Sequence, residues 1–83
     1  RSRGGVDEMS SVLLGRRLRA LRRLKRLTQM ELASEVGISV SMLSTIERGA
    51  KYPRVDLIKK FARVLNVPLE EFFILPDYVQ ERP

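Results

Sequence analysis

The side chains of this 83-residue chain with the plainest chemistry are its cations. Residues 16–63 hold 13 Lys and Arg against 4 Asp and Glu, and the whole chain carries a formal charge of +6. From residue 64 onward the balance reverses, with Glu70, Glu71, Asp77 and Glu81 against Arg82 alone. A basic body of this kind suits a polyanionic partner. Its isoelectric point near 10.5 lies above the ~9 typical of nucleic-acid-binding domains. Other chemistries lack their residues. There is no Cys, so no disulfide or thiolate metal site, and no His, so no imidazole ligand or near-neutral acid–base group. No nucleophile–base pair and no glycine-rich phosphate loop is present, so the chain is not read as an enzyme and no cofactor is expected. No apolar run approaches the ~18 residues of a membrane span, and no signal-peptide pattern opens the chain.

Polar side chains read a partner only if something rigid presents them, and residues 28–49 spell out such a frame. Two short amphipathic helical patterns are joined by Val36-Gly37-Ile38-Ser39, with Gly37 four residues past Ala33 and eight past Gln29. This is the layout of a helix-turn-helix. Ala33 keeps one wall of the turn small, and Gly37 adopts the left-handed conformation without steric cost. Leu32, Val36, Ile38, Leu43 and Ile46 give the two helices their buried faces.

The flanking chain completes an all-α reading of five short helices. Residues 1–10 lack an apolar period and read as a flexible arm. Ser10 or Ser11 caps a first helix reaching about Arg26, lined by Leu14, Leu18, Leu21 and, with a slight turn, Leu24. Thr28 caps the second helix, about residues 29–36, with Glu31 at capping-box spacing. Ser39 caps the third, about residues 40–48, and Gly49 stops it. Pro53 keeps residues 50–54 a loop. A fourth helix spans about residues 55–65 on Leu57, Ile58, Phe61, Ala62 and Leu65. Pro68 starts a fifth over residues 69–73. The domain is thus expected at residues 11–75, followed by a tail at 76–83. The apolar group Leu69, Phe72, Phe73, Ile74 and Leu75 exceeds what so short a helix can hide. It either caps the core or serves pairing. The division expected is Phe72 or Phe73 inside, with Ile74, Leu75 and Tyr78 at a dimer interface.

Leu18-Arg19-Ala20-Leu21-Arg22, Leu27-Thr28-Gln29, Glu31-Leu32-Ala33, Gly37-Ile38-Ser39, Leu43, Ile46-Glu47-Arg48-Gly49, Pro53 and Leu65-Asn66-Val67 together resemble the Cro/repressor-type (XRE) helix-turn-helix family across residues 12–73. The resemblance implies a compact lambda-repressor-like domain that binds double-stranded DNA at palindromic operators as a homodimer and regulates transcription in a repressor-like way. It implies a cytoplasmic, prokaryotic or phage setting at the nucleoid. It puts residues 39–48 in the major groove, with Val40, Ser41, Ser44 and Thr45 at base edges and Gln29 on a backbone phosphate. Thr28, Ser39, Arg48, Lys51 and Arg54 join the expected DNA-binding set. It also implies that Arg22 turns inward to a partly buried ion pair with Glu47.

The physics of the groove agrees with that placement. A major groove ~12 Å wide admits a helix, hydroxyls approach base edges closely, and Val40 suits a thymine methyl. The chain departs from the family pattern where many relatives carry Gln, Asn or Arg for two-bond readout. Its Val, Ser and Thr read less sharply, so DNA shape, Arg48 or the arginine-containing arm must share the task. Two rival readings remain: a protein–protein interaction module of the same fold, and membrane-surface attachment through the basic amphipathic first helix.

Overall fold

The computed structural model describes residues 8–73. Four α-helices run in order, α1 (Glu8–Leu24), α2 (Gln29–Val36), α3 (Val40–Glu47) and α4 (Val55–Leu65), followed by a 3-10 helix at Leu69–Phe73. There is no strand among the described residues. The fifth helix of the sequence reading is therefore a 3-10 turn. The first helix begins earlier than the Ser10/Ser11 cap and stops two residues short of Arg26, so residues 8–10 belong to α1 and not to an arm. Glu8 in its first turn complements the positive end of the helix dipole.

All four α-helices close in the same way. The residue in the left-handed region is Arg26 (φ 62°), Gly37 (φ 80°), Gly49 (φ 84°) and Asn66 (φ 57°) in turn. At each, the next amide reaches back five residues. Leu27 N–H donates to Arg22 O, Ile38 to Ala33 O, Ala50 to Thr45 O and Val67 to Ala62 O, all within 3.0–3.1 Å. This is the Schellman closure, which satisfies orphan carbonyls and drops an apolar residue back on the core. Leu27, Ile38 and Val67 do pack there. Glycine and asparagine take the left-handed position readily, whereas an arginine there is strained by its Cβ. Replacing Arg26 by Gly should raise stability by about 0.5–1 kcal/mol after allowing for the freer unfolded chain, or about 2–8 °C in Tm. Thermal melts of Arg26→Gly and the parent check this, and an unchanged or lower Tm would show that the side chain compensates locally.

The core is built from Leu14, Leu18 and Leu21 of α1, Leu32, Ala33 and Val36 of α2, Leu43 and Ile46 of α3, Ile58, Phe61, Ala62 and Leu65 of α4, and Phe72. Phe72 lies 6.5 Å from the Phe61 ring centre, while Phe73 is 49% exposed. Leu24 does not line the core; it is 73% exposed. It is still within α1, but three residues at ~100° each carry it roughly 60° past Leu21 and off the Leu14–Leu18–Leu21 line. The apolar side of α1 is committed inward, with Leu18 fully buried. A membrane-surface role would have to unpack it. No helix among the described residues is long and apolar enough to cross a membrane.

Candidate nucleic-acid interface

The frame around α3 is held by caps and by one buried charge cluster. Thr28 Oγ1 accepts from Glu31 N–H at 3.0 Å, and Glu31 Oε1 accepts from Thr28 N–H at 2.8 Å, a reciprocal capping box. Ser39 Oγ accepts from Met42 N–H at 3.0 Å. Gly37 supplies the corner between the two helices, and Ala33 is 1% exposed beneath it.

Arg22 and Glu47 meet at the other ends of the two helices, by the start of α2 and the end of α3. Arg22 Nε donates to Glu47 Oε2 at 2.7 Å and Nη2 donates to Oε1 at 3.0 Å, a two-bond fork. Arg22 Nη1 donates to Leu27 O at 2.8 Å. Gln29 Nε2 donates to Glu47 Oε1 at 3.0 Å. One carboxylate at the last turn of α3 thereby ties down α1 and the first residue of α2, and Arg22 in turn holds the turn after α1. The hydrogen bond to Glu47 raises the Arg22 pKa above its ordinary value; burial opposes this and the carboxylate's charge adds to it. A raised folded-state pKa means the pair's stabilisation is fully present below the unfolded arginine's pKa. It is lost only as pH climbs through the folded value, so it does not fade in the neutral range.

α3 therefore stands rigid with a defined outer face. Leu43, Ile46 and Glu47 are buried. Val40, Ser41 and Arg48 are exposed, and Ser44 and Thr45 are half-buried. The positions 40, 41, 44, 45 and 48 follow one helical face. Two of its hydroxyls already have partners. Thr45 Oγ1 donates to Ser41 O at 2.9 Å, and Arg48 Nη1 donates to Ser44 Oγ at 2.9 Å. The first uses the Thr45 proton inside the helix and leaves its oxygen as an acceptor. The second holds the Arg48 guanidinium over the face and leaves the Ser44 hydroxyl proton to donate. The face thus presents a methyl pair, a guanidinium and a few short hydroxyl groups in fixed geometry.

Around it, Lys51 and Arg54 are exposed on the connection from α3 to α4, and their side chains have no hydrogen bond or ion pair among the described residues. At the start of α2, the Gln29 and Met30 amides precede the first intrahelical bond, and Thr28 caps Glu31. Such an end attracts an anion. Gln29 itself has a second commitment that its position in the sequence did not reveal: one N–H of its carboxamide is engaged by Glu47, which leaves the other N–H, the carboxamide oxygen and the backbone amide free. Gly15 was also missed. A Cβ there would sit 2.5 Å from Ile46 O and 2.7 Å from Glu47 O, so α1 crosses α3 backbone to backbone. A glycine inside a leucine-rich helical stretch is the sequence signal for such an approach. Ile74, Leu75 and Tyr78, expected at a dimer interface, lie outside the described residues.

Known proteins share this arrangement. The family described as a helix-turn-helix domain matches residues 13–72. The chain is 46% identical over 63 residues to the uncharacterized HTH-type transcriptional regulator YazB of Bacillus subtilis, covering 76% of this chain and 91% of that protein. It is 38% identical over 68 residues to the HTH-type transcriptional repressor RghR of the same organism, covering 81% of this chain but 50% of RghR. Among solved structures, the restriction-modification controller protein C.AhdI from Aeromonas hydrophila superimposes with a TM-score of 0.75 at 35% identity, over 78% of this chain and 98% of that one. A four-helix core with a glycine corner, an outward-facing third helix and relatives that are transcriptional regulators throughout leave one assignment: the chain belongs to the Cro/repressor-type helix-turn-helix family, whose members are DNA-binding regulators and not enzymes.

Proposed function

We propose that the chain is a sequence-specific double-stranded DNA-binding transcriptional regulator of repressor-like action, working as a homodimer with α3 in the major groove. The observation that carries this reading is the outer face of α3. Val40, Ser41, Ser44, Thr45 and Arg48 stand on a helix braced by a buried ion pair, and unpartnered Lys51 and Arg54 follow it. Val40 suits a thymine methyl, and the hydroxyls of Ser41, Ser44 and Thr45 meet base-edge donors and acceptors. The free amides of α2, with Thr28 and Gln29, take one phosphate, and Ser39, at the cap of α3, lies at the entry to the groove. Arg48, Lys51 and Arg54 neutralise others. Hydroxyls give shallower discrimination than paired amide or guanidinium contacts, so duplex shape carries part of the specificity. Ile74, Leu75 and Tyr78 are the residues we assign to pairing of the two copies.

Selection of bound duplexes from a random pool tests the reading. The expected winners are two-fold symmetric, with half-sites about 34–36 Å apart. Winners without symmetry would remove the homodimer, and no enrichment over the starting pool would remove specific recognition and leave a protein-interaction module of the same fold. Salt titration then separates the contacts. Each phosphate neutralised contributes about −0.9 to the slope of log K against log salt. Lys51→Ala and Arg54→Ala should each flatten that slope by roughly 0.9 and weaken binding alike on selected and random duplex. Slopes equal to the parent's would take these two residues out of the interface.

A further inference from the structure

A groove enclosing about 590 Å³ separates the start of α3 from the start of α4. Its size falls within the ~300–1,000 Å³ of ordinary small-ligand sites. Ile38, Met42 and Leu57 give it an apolar floor. Lys51, Arg54 and Lys60 stand on its rim against a single acid, Asp56. None of these four charged groups has an ion-pair partner among the described residues, although Asp56 and Lys60 are one helical turn apart. Tyr52 forms part of the wall, half-buried, and its hydroxyl has no hydrogen-bond partner among the described residues. Burial raises the Tyr52 pKa above its ordinary value, so the phenol keeps its proton and remains a donor.

We propose that this groove is a binding site for a small amphipathic anion, a carboxylate, sulfonate or phosphate head on an apolar ring or chain, and that an occupied groove excludes the DNA duplex. Charge complementarity selects the head: three cations without ion-pair partners and one phenol donor line the groove with a single acid. The floor selects the body, since Ile38, Met42 and Leu57 offer only apolar contact. The size suits a small molecule, for which cavities of about 300–1,000 Å³ are ordinary. The exclusion rests on the DNA-binding reading above. Lys51 and Arg54 would neutralise backbone phosphates there, and they cannot hold a ligand head and the duplex together.

The anionic fluorophore 1-anilinonaphthalene-8-sulfonate serves as the probe, with the neutral N-phenyl-1-naphthylamine as its control. The folded protein should bind the anionic probe at least about tenfold more tightly than the neutral one. Lys60→Gln should weaken the probe about threefold and Asp56→Asn should strengthen it about threefold, each leaving duplex affinity within about twofold. Equal affinity for both probes, or no response to either substitution, overturns the site. With duplex present, probe at ten times its own Kd should raise the apparent duplex Kd about tenfold, as mutually exclusive binding demands. An unchanged duplex Kd in the presence of bound probe overturns the exclusion while leaving the anion site standing. If the protein binds no duplex at all, the regulator reading and the exclusion fail together, and the probe titrations still decide the site on their own.

Discussion

Arg22→Ala should destabilise the protein by about 3–5 kcal/mol, the range for removing one member of a buried ion pair. The Arg22 side chain is 9% exposed and the Glu47 side chain 3%. Truncation strands the carboxylate with Gln29 Nε2 as its remaining side-chain donor, and it takes the Nη1 bond from Leu27 O. A domain this small has total stability toward the low end of the usual ~5–15 kcal/mol, so the variant should be largely unfolded near 37 °C. Circular dichroism on heating reads this directly. The comparison that isolates the cause is a paired replacement, Arg22→Met with Glu47→Leu. Apolar pairs of similar volume commonly match or exceed a buried ion pair in stability. The double variant should therefore recover much of what the single one loses, short of the Leu27 and Gln29 bonds that no apolar side chain can make. A single variant that melts with the parent would mean the pair is no brace for α3. DNA binding should follow folding in this series, because Arg22 touches no outer-face residue of α3.

What could be read in the sequence was whatever is local. The Thr28–Glu31 spacing announced a capping box, and Ser39 and Gly37 announced a cap and a corner, because each works within five residues of itself. The i, i+3, i+4 leucines announced buried faces for the same reason. The failures are places where a distant segment decides. Leu24 follows Leu21 by three residues, yet it lies at the edge of the stripe and no neighbour covers it, and nothing in an arginine signals the left-handed backbone at Arg26. No residue of Leu69–Phe73 marks its 3-10 form, and Phe72 packs onto Phe61, eleven residues earlier in the chain. At the site, the set of outward positions on α3 follows from periodicity, so it was legible. The partners were not. That Thr45 spends its proton on Ser41 O, that Arg48 lies across Ser44, and that Gln29 reaches Glu47 from eighteen residues away depend on rotamers and on tertiary approach. The groove between α3 and α4 combines Ile38 and Met42 with residues 51–60, and no spacing rule joins those segments.

Gly15→Ala should destabilise by about 2 kcal/mol, the upper end of an overpacking cost less the helix-propensity gain, although alanine is the better helix former. Helix propensity alone would favour alanine by ~1 kcal/mol. Against that, the new Cβ would lie 2.5 Å from Ile46 O, 2.7 Å from Glu47 O and 3.0 Å from Glu47 C. All three neighbours are backbone of α3, which cannot rotate aside as a side chain could. The helices must separate, and overpacking of this kind costs about 1–3 kcal/mol or more. Gly37→Ala is the control. A Cβ there meets nothing within 4 Å, so only its φ of 80° opposes the change, and about 1 kcal/mol should be lost. Urea midpoints at constant m-value rank the two. The order Gly15 above Gly37 is the expected result, and the reverse order would mean that α1 and α3 are not in backbone contact. Coupling adds a second reading of the same contact. Gly15 meets the main chain of Glu47, and Arg22 holds its side chain, so the two sites share a partner. Pushing α1 off α3 already loosens the fork that Arg22→Ala deletes. On an Arg22→Met, Glu47→Leu background, Gly15→Ala should accordingly act with a changed penalty, differing from its effect in the parent by more than the ~0.5 kcal/mol seen for independent sites.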